Sequence, residues 1–336
     1  MFDFHKDHKK LVLTAGAVFI TLSIIVAILP AYQMQETEPI PTEEPLTANE
    51  EKGLRIYVKE NCMACHTQQV RNIEMDNMWG ERPSIPSDYF YSKKRLDVWR
   101  QSPSVLGSER TGPDLTNIGK RQPSEDWHLL HLYNPRAVVS ESVMPSYPWL
   151  FQEVDSVSIV KDDKVVAVPK DIFNKPGKKI IASLEAIWLV EYLKSLVQTE
   201  LPGGNVREFI PALKKIQTEG IGGEQTSSLD GADLFLQTCA ACHQETGKGI
   251  IGAFPPLAGS KIVNDEDPEQ LIRIVIQGYD AQTNYGVMPP FGDQLNDAEI
   301  AAIATHERSS WGNDAPKVTE EDVQKIREFI KEELNQ

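Results

Sequence analysis

Near the N-terminus lies a run of nineteen positions, Leu11–Leu29, with no charged side chain and only Thr14, Thr21 and Ser23 as weakly polar members. A run of that length can cross the roughly 30 Å hydrocarbon core of a bilayer as a helix. Lys6, Lys9 and Lys10 precede it, and Glu36, Glu38, Glu43 and Glu44 follow it. This asymmetry predicts a cytoplasmic N-terminus with everything beyond residue 30 outside. A cleaved signal peptide is the competing reading. Its apolar core spans about 7–15 residues and ends in a small-residue site, whereas the exit here, ILPAYQ, lacks a clean one.

After the apolar run the pattern becomes helical and interrupted. Residues 31–47 are rich in proline and glutamate and poor in large apolar side chains, as a tether is. Two stretches follow, 48–197 and 228–311, each closing on an apolar-periodic helix, Ser183–Val197 and Asn296–Ser310. Segment 198–227 is a glycine-rich linker compatible with a short helix at Val206–Ile216. The tail, 312–336, predicts one more helix from Thr319 to Asn335, with Thr319 as N-cap and Asp322 three residues on. Only Val157–Val168 alternates enough to allow a short hairpin. The expected fold class is mainly α: residues 1–30 as cytoplasmic N-terminus and transmembrane helix, then two all-helical domains.

The two stretches repeat one another in outline. Gly53 and Tyr57 sit four apart in the first, as do Gly231 and Phe235 in the second. Then come Cys62-Met63-Ala64-Cys65-His66 and Cys239-Ala240-Ala241-Cys242-His243, a Pro-x-Leu element (Pro113 and Leu115; Pro255 and Leu257), and a Met-Pro (Met144-Pro145; Met288-Pro289). These four cysteines are all the chain has, so none is left for a structural disulfide.

C-x-x-C-H is the attachment pattern of c-type haem. Two thiols three residues apart on one turn can each bond a vinyl group along one porphyrin edge, and the next residue then places its imidazole under the iron. A zinc site needs four ligands, and each cluster supplies three at most. A zinc ribbon wants about 15–20 residues between its pairs, whereas Cys65 and Cys239 are 174 apart. A thioredoxin-like pair wants a strand–helix setting that is absent. The expectation is two covalently bound c-type haems, held by Cys62, Cys65, Cys239 and Cys242, with His66 and His243 on the irons.

For the sixth ligands, Met144 and Met288 are favoured. A methionine is ordinarily core filling, but these two occupy matching places, each before proline in a turn-rich segment. His128, His131 and His306 are the other candidates; the first two sit on an apparent helix and read as surface or structural. Met/His ligation raises the iron potential and closes both axial positions, which suits electron exchange rather than oxygen or peroxide binding. Carbonyls of the Pro-x-Leu segments are candidates to fix the histidine rings. Arg71, Arg110 and Arg121 are candidates to pair with haem propionates.

The strings CMACHTQQVR, GSERTGPDLTNIGKR and DWHLLHLYNPRAVVSESVMPSYPWL, behind a single N-terminal anchor, resemble the mono-haem cytochrome c subunit (subunit II) of cbb3-type haem–copper oxidases. The resemblance covers about residues 1–150 and, loosely, the helix at Ser183–Val197. It implies that Cys62 and Cys65 hold a haem ligated by His66 and Met144, and that the domain docks on a membrane-embedded catalytic subunit. Residues 151–180 depart from the pattern, and so does the continuation into a second cytochrome. That second domain is similar to single-haem class I cytochromes through LNDAEIAAIATHERSSWGN, with His306 where an aromatic is more usual.

The implied function is a dihaem electron-transfer subunit of a cbb3-type terminal oxidase in a bacterial inner membrane, its haem domains periplasmic. It has no active site of its own and delivers electrons from a donor cytochrome to the haem–copper catalytic subunit; a further cytochrome c subunit can join the complex. An anchored, free-standing dihaem carrier serving another reductase is the alternative, and a dihaem peroxidase a third reading. Formal charge enters last. The chain carries −15 overall, of which residues 229–336 carry −11. That excludes nucleic acid as a partner, since its binding needs a basic patch. It also fits electrostatic steering of a basic donor to the second haem domain.

Overall fold

A computed structural model describes residues 6–33, 36–92, 104–202, 209, 230–280 and 285–334. Its longer helices are α1 His8–Gln33, α2 Ala48–Lys59, α3 Glu125–Tyr133, α4 Leu184–Ser195, α5 Gly231–Thr238, α6 Glu269–Gln277, α7 Asp297–Ser309 and α8 Glu320–Leu334. The fold is mainly α, as the patterning predicts. The segment Val206–Ile216 lies outside the described residues.

Helix α1 has 26 residues; an 18-residue window within it has a mean hydropathy of 2.6, and none of that window is buried against the rest of the chain. At 1.5 Å per residue it is about 39 Å long, more than a bilayer core requires. Between Ile24 and Ile28 it widens into a π-helical turn just before Pro30. Proline lacks an N–H and crowds the carbonyl four residues back, and a wider turn relieves that conflict.

Each cytochrome-like half is organised by one helix crossing. Helix α2 begins with a capping box: Glu50 N–H donates to Thr47 Oγ1 at 3.3 Å, and Thr47 N–H donates to Glu50 Oε2 at 2.6 Å. It crosses α4 at Gly53, where any Cβ would meet the Trp188 carbonyl. In the second half α5 crosses α7 at Gly231, where a Cβ would meet the Ala302 carbonyl and lie 3.1 Å from the His306 Cβ. The missing side chain lets the backbones approach, and Tyr57 against Tyr192 (5.6 Å) and Phe235 against His306 (5.4 Å) fill the flanks.

Two cores result. Leu54, Tyr57, Leu129, Leu150, Leu189 and Tyr192 centre the first, which also takes in Ala253 and Phe254 from the other half of the chain. Ile272, Val275, Ile300 and Ala304 centre the second. Helix α8 is part of that second core and not an appended tail. Val323 and Ile330 are buried, and the Arg327 guanidinium reaches Asp297 at 2.6 Å. The predicted cap at Thr319 is present, with Asp322 N–H donating to Thr319 Oγ1 at 3.2 Å.

The predicted hairpin is displaced. Strands β1 Phe151–Asp155 and β2 Lys178–Ala182 pair antiparallel, Phe151 facing Ala182, and only Val165 of the expected segment joins, by a bridge to Ile181. Val157, which the alternation placed in a strand, is 97% exposed. The register follows burial instead: Phe151, Ile180 and Ala182 face the core.

Candidate haem sites

The chain enters the two cysteine motifs differently but pairs its backbone alike within them. Asn61 adopts a left-handed conformation (φ 57°) that ends α2 and turns the chain into Cys62. His66 N–H then donates to the Cys62 carbonyl at 3.0 Å, and His243 N–H to the Cys239 carbonyl at 3.0 Å. One turn therefore brings both thiols and the imidazole of each motif to one wall of a cavity. All four cysteines are unbridged. Among the described residues, no three His, Cys, Asp or Glu side chains converge as a metal ion would require.

Each cavity is also lined by the methionine. Cys62, Cys65 and His66 share a cavity of about 410 Å³ with Met144 and Pro145. Cys239, Cys242 and His243 share one of about 310 Å³ with Met288 and Pro289. Both linings are dominated by apolar side chains, as a cofactor cleft requires. The methionine loops are tied by contacts the sequence did not signal. Arg136 donates to the carbonyls of Ser142 (2.8 Å) and Met144 (3.2 Å). Met288 exchanges both backbone hydrogen bonds with Tyr279, at 2.9 and 3.0 Å.

The histidine rings are oriented as the Pro-x-Leu elements suggest, with proline itself supplying the acceptor. His66 Nδ1 lies 2.8 Å from the Pro113 carbonyl and His243 Nδ1 3.0 Å from the Pro255 carbonyl. A carbonyl partner makes Nδ1 the donor and leaves Nε2 as the free ligand nitrogen. Burial lowers both imidazole pKa values, partly offset by these hydrogen bonds, and so favours the neutral form that binds iron. Gly112 packs onto the His66 ring so closely that a Cβ there would overlap it. Burial pushes the thiols of Cys62 and Cys242 up to about 12. Burial therefore favours the protonated thiol at both positions.

The remaining sequence candidates divide. Arg71 and Arg110 are committed to Asp76, at 2.9 and 2.7 Å, rather than facing a cavity with free donors. Arg121 lies over the Trp79 ring at 5.0 Å, donates to the Asp114 carbonyl, and keeps a buried Nε with no partner. His131 Nδ1, on a residue lining the first cavity, is likewise buried and unpartnered. Orphaned buried polar atoms beside an apolar cleft suit a bound group with a polar edge. His128 and His131 are not surface residues. His128 is 3% exposed with Nε2 on the Gln122 carbonyl at 2.8 Å, and burial depresses it to about 4. His131 stacks on Trp127 and is depressed to about 3 by burial. His306 lies between Phe235 and Trp311, away from the second cavity. The residues present therefore fit a covalently attached porphyrin in each cavity.

Comparison with known proteins agrees with this geometry. Residues 4–175, just over half the chain, match the family described as cytochrome C oxidase, mono-heme subunit/FixO. The chain belongs to the FixO family. Residues 227–306 of this FixO chain match a second family, cytochrome C oxidase, cbb3-type, subunit III. The protein is therefore an electron-transfer cytochrome c of the FixO/cbb3 type with covalently bound c-type haem.

Individual relatives share shorter segments with the FixO chain. The cytochrome c subunit of the alcohol dehydrogenase (quinone) of Gluconacetobacter polyoxogenes is 33% identical over 42% of this chain and 30% of its own length. The fructose dehydrogenase cytochrome subunit of Gluconobacter japonicus is 31% identical over 41% of this chain and 32% of its own length. Cytochrome c-552 of Thermus thermophilus is 41% identical over 32% of this chain and 80% of its own length. The chain thus spans about a third of the length of the two dehydrogenase subunits.

Proposed function

We propose that this chain is a dihaem electron-input subunit of a cbb3-type terminal oxidase. On this reading residues 48–197 form one cytochrome c unit, and residues 228–311 with α8 form the other. Cys62 and Cys65 attach one haem, and Cys239 and Cys242 the other. His66 with Met144 and His243 with Met288 close the axial positions. When bound, each haem supplies a one-electron Fe(II)/Fe(III) couple. The chain's own residues hold and insulate it: the prolyl carbonyls of Pro113 and Pro255 aim the imidazoles, the methionine loops cover the opposite faces, and apolar walls keep water out.

The single observation that carries this reading is the duplicated cavity, each lined by a cysteine pair, a carbonyl-locked histidine and a Met-Pro, inside a FixO-family chain with an apolar N-terminal helix. Helix α1 anchors the chain with its N-terminus cytoplasmic and both haem units periplasmic, by the lysine–glutamate asymmetry around it. The partner is a membrane-embedded haem–copper subunit, and the acidic second unit meets a basic donor.

A second reading, an anchored carrier serving another redox enzyme, draws support from the dehydrogenase names of the relatives above. Mild detergent extraction followed by native mass measurement separates the two. The oxidase reading expects co-migration with a haem–copper subunit, and turnover with cytochrome donors that fails when this chain is deleted. A chain that migrates alone overturns it. Denaturation and acid–acetone washing test the cofactor: two haems must stay on the polypeptide, and colourless protein refutes the attachment.

A further inference from the structure

Two adjacent residues at the start of α3 in the first unit reach both flanks of the second haem crevice. Trp127 Nε1–H donates to the Ala241 carbonyl at 3.0 Å, between Cys239 and Cys242. Asp126 Oδ2 accepts from Val287 N–H at 2.8 Å, one residue before Met288. The same Trp127 lines the first cavity and stacks on His131, centroids 4.6 Å apart and planes at 9°. One indole therefore borders the first crevice while hydrogen-bonded to the cysteine turn of the second.

The insert at 151–180 holds this dipeptide in place. Lys164 Nζ lies 3.1 Å from Asp126 Oδ1 and 3.2 Å from Glu125 Oε1. Val166 of the insert is buried in the same core as Ala253 and Phe254 of the second unit, with Ile250 packed against it. The Asp126 side chain is only 12% exposed, so its bonds to Lys164 and to Val287 are sheltered from water and salt. A charged acceptor strengthens the Val287 hydrogen bond further.

We propose that Asp126 and Trp127, braced by Lys164, interlock the two cytochrome units, and that Trp127 is the positioning residue that sets the spacing between the two haem crevices. This rests on the dihaem reading above. When bound, the haems would supply a one-electron exchange that needs no atom or proton transfer, and what these residues contribute is a fixed spacing between the two crevices. Trp127 stays in its neutral closed-shell form and acts as the fixed, polarisable spacer.

The test uses the full-length haem-loaded chain in detergent, as wild type, D126A, W127A and the conservative W127F. Amide hydrogen exchange at Val287 reports the interlock without reference to activity. Losing a charged-acceptor hydrogen bond should speed it by about 10–100-fold in D126A. Pulsed electron paramagnetic resonance between the two ferric haems reports spacing. A single narrow distance is expected in wild type, and a broadened one in W127A, in D126A and in W127F, whose ring has no N–H for the Ala241 carbonyl. Unchanged Val287 exchange in D126A refutes the interlock, and an unchanged narrow distance in W127A refutes the spacing role. A W127A chain that loses haem is replaced by W127L, and its inter-haem distance decides the spacing role in the same way. Wild-type protein retaining one haem overturns the dihaem reading and with it the spacing role. Val287 exchange still decides the interlock in that case.

Discussion

Replacing Glu307 by glutamine removes a carboxyl that the second core holds in an unfavourable place. Glu307 lies on α7, borders the second cavity and is 4% exposed. Among the described residues no cation or hydrogen-bond donor reaches its carboxyl, and burial pushes it up to about 8. In the unfolded chain the same group titrates near ~4.3. Between those values the unfolded state has released a proton that the folded state keeps. Stability from this group is therefore full below about pH 4.3 and is lost as pH rises through about 8. The slope approaches ~1.4 kcal/mol per pH unit and the full window sums to ~5 kcal/mol, an upper bound because local water entry softens burial. Urea unfolding of haem-loaded wild type and E307Q, followed by the fluorescence of Trp311 against a Trp311-free reference, measures the difference. E307Q should gain on wild type by ~1.4 kcal/mol per unit between about pH 5 and pH 7, and the gain should level off above pH 8. Parallel pH profiles for the two proteins would show that Glu307 is ionised in the native state and would refute the reasoning.

The helix crossings predict that G53A and G231A each cost about 1–3 kcal/mol, read as a lowered thermal midpoint by circular dichroism, because a Cβ collides with the facing carbonyl of Trp188 or Ala302. Asp76 is fully buried; burial opposes its charge, but hydrogen bonds from Arg110 and Arg71 outweigh it and hold the carboxyl well below the usual range. Its stabilisation is thus present above about pH 4 and is lost as pH falls further, and D76A, which strands the partly buried Arg110, should cost about 3 kcal/mol in urea titrations at neutral pH. Deleting 320–334 uncovers Val323 and Ile330 and should lower the stability of the second unit by at least ~3 kcal/mol, whereas a dispensable tail would leave the unfolding midpoint unchanged.

What the sequence makes legible and what it hides divide along contact range. Cys62 to His66 and Cys239 to His243 each complete their chemistry within one turn, so five consecutive residues carry the whole signal. Met144 and Met288, which line the same cavities, lie 78 and 45 residues beyond His66 and His243, and only the repeated order of elements singles them out. The glycine crossings at Gly53 and Gly231 are legible for the same reason.

Contacts made only once have no such echo. Nothing near Trp127 signals that its indole meets Ala241, 114 residues on, or that Asp126 meets Val287, 161 residues on. Arg71 and Arg110 looked available as propionate partners because Asp76, which claims both, is marked by no motif. The hairpin was displaced because alternation at Val157–Val168 competes with a register set by burial of Phe151 and Ile180, which local pattern cannot weigh. Of these unrepeated contacts, those of Trp127 and Asp126 join the two units. Duplicating a cytochrome supplies two copies of an electron-holding site, but a fixed distance between them has to come from residues that differ between the copies. The departures of the first unit from its duplicate, the α3 dipeptide and the insert bearing Lys164, are therefore where a pairing function must be encoded.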